Sequence, residues 1–256
     1  MNVVVCAKQI PDPAAPGQLD PETKTLVRQD LILDESDMYG VEMALQLVDK
    51  AGGGEVTLVS MAPNNETKGL RSGLAMGAHK AILVSDPALK GSDALVTAKV
   101  LAAAIKRVDG ADLILAATES TDGYTGTTPV QIAELLGLPS VTFAKHIEVD
   151  GSTVKVDRQT EAGYDEVECP GPCVVTVTAG VVEPRYPSFK GIMAAKSKPL
   201  EQLTLADLGL DDAAVAVGQA VTDVAPAEAR KAGEVVEDDG EGHQRIIEFL
   251  DQLKVL

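Results

Sequence analysis

The chain has 256 residues, of which 45% are apolar and only 3% aromatic, so its core must be built from aliphatic side chains. A formal net charge of −17 argues against binding to nucleic-acid phosphates or to an anionic membrane surface. No apolar stretch is long enough to span a bilayer, so we expect no membrane insertion. Three cysteines and no signal-peptide core indicate a reducing cytoplasm rather than a disulfide framework.

Apolar strand-like runs alternate with helical patterns through the first half of the chain. A loop over 8–21 and a small hairpin-like excursion over 25–33 follow the first strand. The predicted strands are 2–7, 56–61, 81–84 and 113–117, and the predicted helices are 34–48, 66–76, 92–108 and 129–136. Because strands that alternate with helices require right-handed crossovers, the pattern predicts an α/β fold with a doubly wound, mainly parallel sheet.

The pattern changes after residue 140. Segments 145–149 and 154–157 alternate with period two around Asp150-Gly151, which predicts an added β-hairpin, and 164–168 and 174–178 read as further strands. From 201 to 256 there are thirteen acidic residues against four basic ones, a net charge of −9. We therefore divide the chain into an α/β domain over 1–200 and an acidic C-terminal arm over 201–256, ending in an amphipathic helix at 244–253 that needs a surface to dock on.

The loop from Thr118 to Pro129 is the most informative segment for function. It leaves the carboxyl end of a predicted strand and enters a helix, where backbone N–H groups and the helix dipole favour an anion. Its two glycines and small hydroxyl side chains allow a phosphate to approach the backbone closely. An ordinary Thr-rich capping loop explains the same residues, and both interpretations stay open at this point.

Other common sites are absent from the sequence. The first strand is followed by no Gly-x-Gly-x-x-Gly, and the chain has no Gly-Lys-Ser/Thr, which disfavours NTPase chemistry. His79, His146 and His243 have no matching ligand or acid spacing, and Cys169 and Cys173 lack redox Cys-x-x-Cys spacing. We therefore expect no catalytic residues and no metal site.

The segment 183–198 combines two prolines with a basic end in an acidic protein. Phe189, Ile192 and Met193 are apolar residues in a stretch that otherwise reads as exposed. The segment either tucks these residues into the core or presents them as an anchor for a partner protein.

These segments resemble the beta subunit of electron-transfer flavoproteins, and the resemblance covers essentially the whole chain. The matching stretches are Val-Val-Cys-Ala-Lys-Gln-Ile-Pro-Asp at 4–12, Leu-Ala-Met-Gly-Ala at 74–78, Ser-Thr-Asp-Gly at 120–123 through Ala-Glu-Leu-Leu-Gly at 133–137, Glu-Pro-Arg-Tyr at 183–186, and Ile192-Met193 with Ala195-Lys196. The last two are the most specific.

The resemblance implies a fold like that of adenine-nucleotide alpha-hydrolases and universal stress proteins, with AMP bound as a structural nucleotide. It implies a heterodimer with an alpha subunit that holds most of the FAD. That heterodimer would accept electrons from acyl-CoA or other dehydrogenases and pass them to a quinone oxidoreductase, as in fatty acid oxidation. The chain itself would be an electron-carrier subunit without catalytic residues, and its terminal helix would dock on the alpha subunit.

Site residues follow from the same resemblance. Asp37-Met38-Tyr39-Gly40 departs from the Asn-Pro-Phe/Tyr that many members carry at the start of the first long helix. Phe189 occupies the position of the apolar residue that inserts into the partner dehydrogenase. The implied nucleotide contacts are Cys6, Asp37, Met38, Tyr39, Gly40, Met61, Ala117, Asp122, Gly123, Thr125, Gly126, Thr127 and Thr128. The implied partner-recognition residues are Arg185, Tyr186, Phe189, Ile192, Met193 and Lys196.

Two alternatives stay open. In the first, the chain belongs to an electron-bifurcating flavoprotein whose beta subunit holds a second FAD; such members tend to carry Asp-Gly-Asp-Thr-Ala-Gln-Val-Gly where this chain has Asp-Gly-Tyr-Thr-Gly-Thr-Thr-Pro at 122–129, which favours AMP. In the second, the chain is a stand-alone adenine-nucleotide-binding regulatory module. That alternative leaves the segment 183–198 and the acidic arm unexplained.

Overall fold

The computed structural model describes residues 1–225, 233 and 235–255. The strands are β1 (Asn2–Cys6), β2 (Gln9–Pro11), β3 (Leu31–Leu33), β4 (Glu55–Ala62), β5 (Lys80–Ser85), β6 (Leu113–Ala117), β7 (Ser140–Asp150), β8 (Thr153–Thr160), β9 (Gly163–Pro170), β10 (Cys173–Val177) and β11 (Leu200–Leu203). The helices are α1 (Glu35–Lys50), α2 (Lys68–Met76), α3 (Ala94–Ile105), α4 (Thr128–Leu136), α5 (Phe189–Ala195) and α6 (Gly242–Gln252).

Nine strands form one sheet in the order β11-β5-β4-β1-β6-β10-β7-β8-β9. The pairs from β11 across to β7 are parallel, whereas β7, β8 and β9 are antiparallel. The inner parallel strands β1, β4, β5, β6 and β10 are apolar runs buried on both faces, as the sheet needs when helices cover it. The doubly wound α/β fold and the added hairpin are confirmed.

Helices cover both faces of the parallel sheet. Val3 and Val5 of β1 pack in the layer that contains α1 and α2, while Val4 packs in the layer that contains α3 and α4. This division follows from the period-two alternation of side chains along a strand. The core is aliphatic, as the composition requires.

The order in which successive strands join the sheet reverses between β1 and β6. From β1 the chain passes through α1 to β4 on one side, whereas from β6 it passes through α4 to β7 on the other. The loops that leave the carboxyl ends of these two neighbouring strands therefore diverge. Such a switch point is the usual place for a ligand in an open α/β sheet.

Some elements depart from the sequence-based interpretation. The pairing of β2 with β3 joins the end of the predicted excursion to residues 9–11 of the predicted loop, so β2 was not predicted, and neither were α5 and β11. The first compact unit runs from Met1 to Val221, beyond the predicted boundary at residue 200. β11 pairs with β5, and Leu205 and Val215 are buried in the core layer that contains α3.

The second compact unit runs from Thr222 to Leu256 and contains α6, close to the predicted helix. Ile246, Ile247, Phe249 and Leu253 on this helix are exposed. Its docking on a partner subunit stays a prediction. Within the described residues, no helix is both long enough and apolar enough to cross a membrane.

Candidate functional site

The carboxyl ends of β1 and β6 are joined by a polar network. Lys8, just after β1, bonds through its Nζ to Ser120 Oγ at 3.0 Å and to a carboxylate oxygen of Asp122 in the loop after β6. Arg28, from the excursion between β2 and β3, binds the other oxygen of the same carboxylate. Three segments far apart in sequence therefore converge on Asp122, whose side chain is only 6% exposed.

The charges around Asp122 set its ionisation. Burial alone would raise the pKa of this carboxyl, but the hydrogen bonds and positive charges of Lys8 and Arg28 outweigh burial and hold the pKa below its ordinary value. Asp122 is thus an anion at neutral pH. It pairs with both cations, balancing one of their two charges, and ties the loop after β6 to the segments that follow β1.

Asp34 connects the same loop to α1. Its Oδ1 accepts from Ser36 N at 3.0 Å, which caps the first turn of the helix, and its Oδ2 accepts from Thr121 N at 2.9 Å. The Thr121 hydroxyl adds a bond of 3.1 Å to Oδ1. Asp34 is fully buried. Because Asp34 caps α1 and also accepts hydrogen bonds from Thr121, it fixes the distance between the start of the helix and the loop after β6.

Asp37 lies one turn further along α1 and is also buried. Its Oδ2 accepts from Lys8 N at 2.6 Å. Burial and the nearby charge of Asp34 raise the pKa of Asp37 to about 8, so this carboxyl is mostly protonated at neutral pH. Burial and Asp37 likewise raise the pKa of Cys6 to about 12, which makes its thiol unreactive.

The loop before α4 is open to solvent and rich in backbone donors. Residues 123–127 are exposed, and Tyr124 and Gly126 adopt left-handed backbone angles of φ 49° and 68°. Within the described part of the chain, the N–H groups of Thr125, Gly126 and Thr127 bond to no protein acceptor. These donors lie at the α4 N-terminus, where Thr127 is the N-cap and makes no side-chain cap bond, so the arrangement suits an anion.

The other predicted nucleotide contacts occupy two settings. Ala117 ends β6 and Met61 lies near the end of β4, both at the carboxyl edge that carries the loop. Met38 and Tyr39 pack partly against the core, and Gly40 is buried where α1 crosses the sheet. A Cβ added at Gly40 would lie 3.4 Å from Val5 Cγ1. Nucleotide contact at these three positions stays a prediction.

Segment 183–198 forms a second distinct surface, which we call the α5 surface: Tyr186, Phe189, Ile192 and Met193. Tyr186 is 88% exposed and Phe189 81% exposed, and Ile192 and Met193 are about half exposed. Lys196, also exposed, follows at the end of α5. The reading in which these apolar side chains tuck into the core is therefore wrong.

Arg185 differs from its neighbours because its guanidinium is bound within the protein. It donates to Glu42 of α1 from Nε at 2.6 Å and from its second terminal nitrogen at 3.0 Å. Glu42 is 4% exposed and also accepts from Gln46. Burial would raise the pKa of Glu42, but its bonds to Arg185 and Gln46 lower it below its ordinary value. Arg185 thus anchors the start of the segment to α1.

Three site residues were missed from the sequence: Lys8, Arg28 and Asp34. Asp34 carried a usable signal, since an aspartate directly before a helical pattern favours an N-cap. Arg28 carried none, because its approach to Asp122 depends on how the excursion folds back.

Other chemistry is not supported by the described residues. They contain no group of three His, Cys, Asp or Glu side chains able to hold a metal ion. Cys6, Cys169 and Cys173 are buried free thiols. A cavity of about 500 Å³ lies at the opposite edge of the sheet, beside Met1, Asp112 and Pro172, and contains none of the predicted site residues.

Sequence comparisons relate this chain to known proteins. Residues 23–208 match the family model described as the electron transfer flavoprotein domain. The chain is 39% identical to the electron transfer flavoprotein subunit beta of Mycobacterium tuberculosis, over 100% of this chain and 99% of that protein. It is 36% identical to the protein of the same name from Megasphaera elsdenii, over 97% and 96% of the two chains. It is also 38% identical to the caffeyl-CoA reductase-Etf complex subunit CarD of Acetobacterium woodii, over 88% and 86%.

Proposed function

Because this chain belongs to the electron transfer flavoprotein subunit beta family, we propose that it forms an electron-carrying heterodimer with an alpha subunit and holds a structural AMP. The observation that carries the proposal is the row of unbonded N–H groups at Thr125, Gly126 and Thr127, at the switch point between β1 and β6. A phosphate is the ligand group that such donors suit best.

The donor set favours one phosphate. Pro129 has no N–H, so the first turn of α4 offers fewer donors than an ordinary helix start. Asp122 balances only one of the two positive charges of Lys8 and Arg28, so the three groups together keep one positive charge at this edge of the sheet. A monophosphate such as AMP requires less compensating charge than a diphosphate.

The electrons are carried by FAD, most of which the alpha subunit would bind. This chain has no group suited to redox chemistry of its own among the described residues, since its three thiols are buried. Its contribution is to hold the nucleotide, to keep the loops after β1 and β6 in a fixed geometry, and to supply one wall of the flavin site. The flavin potential is then set largely by the other subunit.

The α5 surface is the proposed contact for dehydrogenases such as acyl-CoA dehydrogenases. An aromatic side chain that is 81% exposed gains the full benefit of desolvation when a partner pocket covers it. Burying one such anchor contributes about 2 kcal/mol or more. The heterodimer would then pass the electrons to a quinone oxidoreductase, and we propose a cytoplasmic location and a role in fatty acid oxidation.

A second candidate is a heterodimer whose beta site holds another FAD. Similarity to a subunit of a caffeyl-CoA reductase-Etf complex gives this candidate its support. Tyr124 in the loop before α4 and Pro129 in the first turn of α4 weigh against it, because bifurcating members tend to have other residues there.

Nucleotide analysis separates the candidates. The chain is co-expressed with its alpha subunit, the purified heterodimer is denatured, and the released nucleotides are identified by mass and counted per heterodimer. One AMP and one FAD support the proposal, whereas two FAD support bifurcation. Failure to form a yellow heterodimer, with nucleotide bound to this chain alone, supports the stand-alone module.

A matched pair of glycine variants ties the nucleotide to the loop. Gly126 and Gly137 both have φ near 68°, but Gly137 ends α4, away from the loop. Gly126→Ala and Gly137→Ala therefore impose similar backbone strain. Loss of AMP in the first variant alone supports the site, and equal AMP content in the two contradicts it.

A further inference from the structure

Two cations fasten α5 to α2 by capping each other's helices. Arg71 of α2 donates from its guanidinium to Ala195 O at 2.7 Å and to Lys198 O at 2.9 Å, at the carboxyl end of α5. Lys198, just beyond α5, donates from Nζ to Leu74 O at 2.9 Å, Gly77 O at 3.2 Å and Ala78 O at 2.6 Å, at the carboxyl end of α2. Each charge lies at the negative end of the other helix.

The two helices also approach each other closely between these caps. A Cβ at Gly191 would lie 2.4 Å from Ala75 O of α2, so only glycine permits the observed separation. Ala195 is buried on the side facing the core, whereas Phe189, Ile192 and Met193 are exposed. The contact with α2 therefore determines which side chains of α5 face outward.

A helix of seven residues cannot hold itself in water, because nucleation is unfavourable and few hydrogen bonds follow it. Its geometry must come from tertiary contacts. Ser188 caps its start through Gly191 N at 3.0 Å, and Arg185 anchors the preceding segment to Glu42. At its carboxyl end, the side-chain bonds to α2 are those of Arg71 and Lys198.

We propose that Arg71 and Lys198 are positioning residues for partner recognition: they hold the α5 surface in the orientation that a dehydrogenase pocket receives. This rests on the proposed function of that surface. Neither residue touches the partner. Both restrict the conformations of α5 before the partner binds, so that less conformational entropy is lost on binding and the affinity is higher.

The test is a double-mutant cycle in the holo heterodimer. Arg71→Met removes both carbonyl bonds at similar length, Phe189→Ala removes the anchor, and a purified acyl-CoA dehydrogenase with its substrate reduces each protein. Losing hydrogen bonds that order α5 is expected to raise the KM for the flavoprotein about fivefold, with kcat unchanged within twofold. Arg71→Lys, which keeps a donor, should restore most of the loss. Arg158→Met, on the exposed surface of β8, is the matched control and should have no effect.

The cycle distinguishes positioning from general destabilisation. If Arg71 acts through Phe189, the Arg71→Met effect on KM disappears in the Phe189→Ala background; equal effects in both backgrounds overturn the proposal. If Arg71→Met does not assemble, Lys198→Met, which removes the reciprocal bonds to the carbonyls of α2, enters the same cycle, and additive effects overturn the proposal equally.

A second measurement separates this proposal from the proposed function. If Phe189→Ala leaves KM unchanged, the surface is not the dehydrogenase contact, and the proposed recognition role fails. Amide hydrogen exchange over 189–198 then decides the positioning role. Exchange that is faster in Arg71→Met than in Arg158→Met supports it, and unchanged exchange overturns it.

Discussion

Asp34 and Thr121 join the first turn of α1 to the loop that follows β6. The buried carboxylate of Asp34 accepts from both the backbone N–H and the hydroxyl of Thr121 while it caps the helix at Ser36. Because β1 and β6 are neighbours at the switch point, this contact fixes one side of the proposed nucleotide site. We therefore expect this helix cap to support nucleotide binding as well.

Asp34→Ala should therefore reduce both stability and nucleotide binding. Loss of the cap alone costs about 1 kcal/mol, and loss of the bonds to Thr121 adds to that. Asp93 offers a matched control, since it caps α3 at Val96 and also accepts from Gly218. Unfolding and AMP content are measured for both heterodimers. We expect similar destabilisation but loss of AMP only in Asp34→Ala; equal AMP loss contradicts a specific role for Asp34.

Asp122→Asn should destabilise the protein at neutral pH by about 1 to 2 kcal/mol, because Lys8 and Arg28 would face each other without their anion. The upper range for a buried pair does not apply, since both cations are about one-third exposed or more. The folded pKa of Asp122 lies below its unfolded value, so its contribution is present above the unfolded pKa and is lost as pH falls through the folded pKa. The stability difference between wild type and variant should accordingly shrink in acid. A difference independent of pH between 7 and 3 would argue against ionised Asp122.

The contribution of Asp37 to folding stability depends on pH in the opposite direction. Its folded pKa of about 8 lies above its ordinary value of 3.8, so the folded state binds the extra proton between these values and loses stability as pH rises. The groups facing Asp37 are Asp34, Lys8, Cys6 and the backbone of Ala117. Asp37→Asn removes this pH-dependent loss of folding stability, which amounts to as much as about 1.4 kcal/mol per pH unit between the pKa of 3.8 and the pKa of about 8.

The midpoint of thermal unfolding at pH 5.5 and pH 7.5 tests this prediction. Asp37→Asn should gain stability relative to wild type at the higher pH. Glu35→Gln, an exposed carboxylate in the same helical turn, serves as the control and should show no such gain. If the two variants behave alike, Asp37 is ionised in the folded protein.

Breaking the ion pair between Arg185 and Glu42 should cost more folding stability when Arg185 is replaced than when Glu42 is replaced. Arg185→Met leaves the carboxylate of Glu42 buried without its partner, which costs about 3 kcal/mol. Glu42→Gln keeps an acceptor and leaves a guanidinium that is 42% exposed and can reach water, so it should cost about 1 kcal/mol or less. Chemical denaturation of both variants provides the measurement. Equal losses would show that burial of the carboxylate is not the dominant cost.

The sequence predicted the parallel sheet because its strands are continuous apolar runs separated by helices with caps and glycine ends. The loop 118–129 was found for a similar local reason, since a strand end and a helix start are both visible in sequence. Arg28 and Glu42 were not predicted, because their partners lie 94 and 143 residues away and depend on the tertiary fold.

Helix α5 and strand β11 were missed for a related reason. The seven residues of α5 are too few to show a helical period, and Gly191 argues against a helix by propensity. The helix forms because α2 supplies caps and a close contact. β11 is only four residues long, with Glu201 and Gln202 at its centre, and it exists because β5 offers an unpaired edge.

Gly191→Ala tests that contact directly. Alanine has the higher helix propensity, so α5 in isolation would become more stable, yet the added Cβ would lie 2.4 Å from Ala75 O and must push the two helices apart. We expect faster hydrogen exchange over 189–198 and a higher KM with a reducing dehydrogenase. Gly218→Ala is the control, since its Cβ would meet Asp93 at an ordinary 3.7 Å. If Gly191→Ala matches this control in both measurements, the helix propensity of alanine outweighs the steric cost at Ala75 O, and the orientation of α5 does not depend on its close contact with α2.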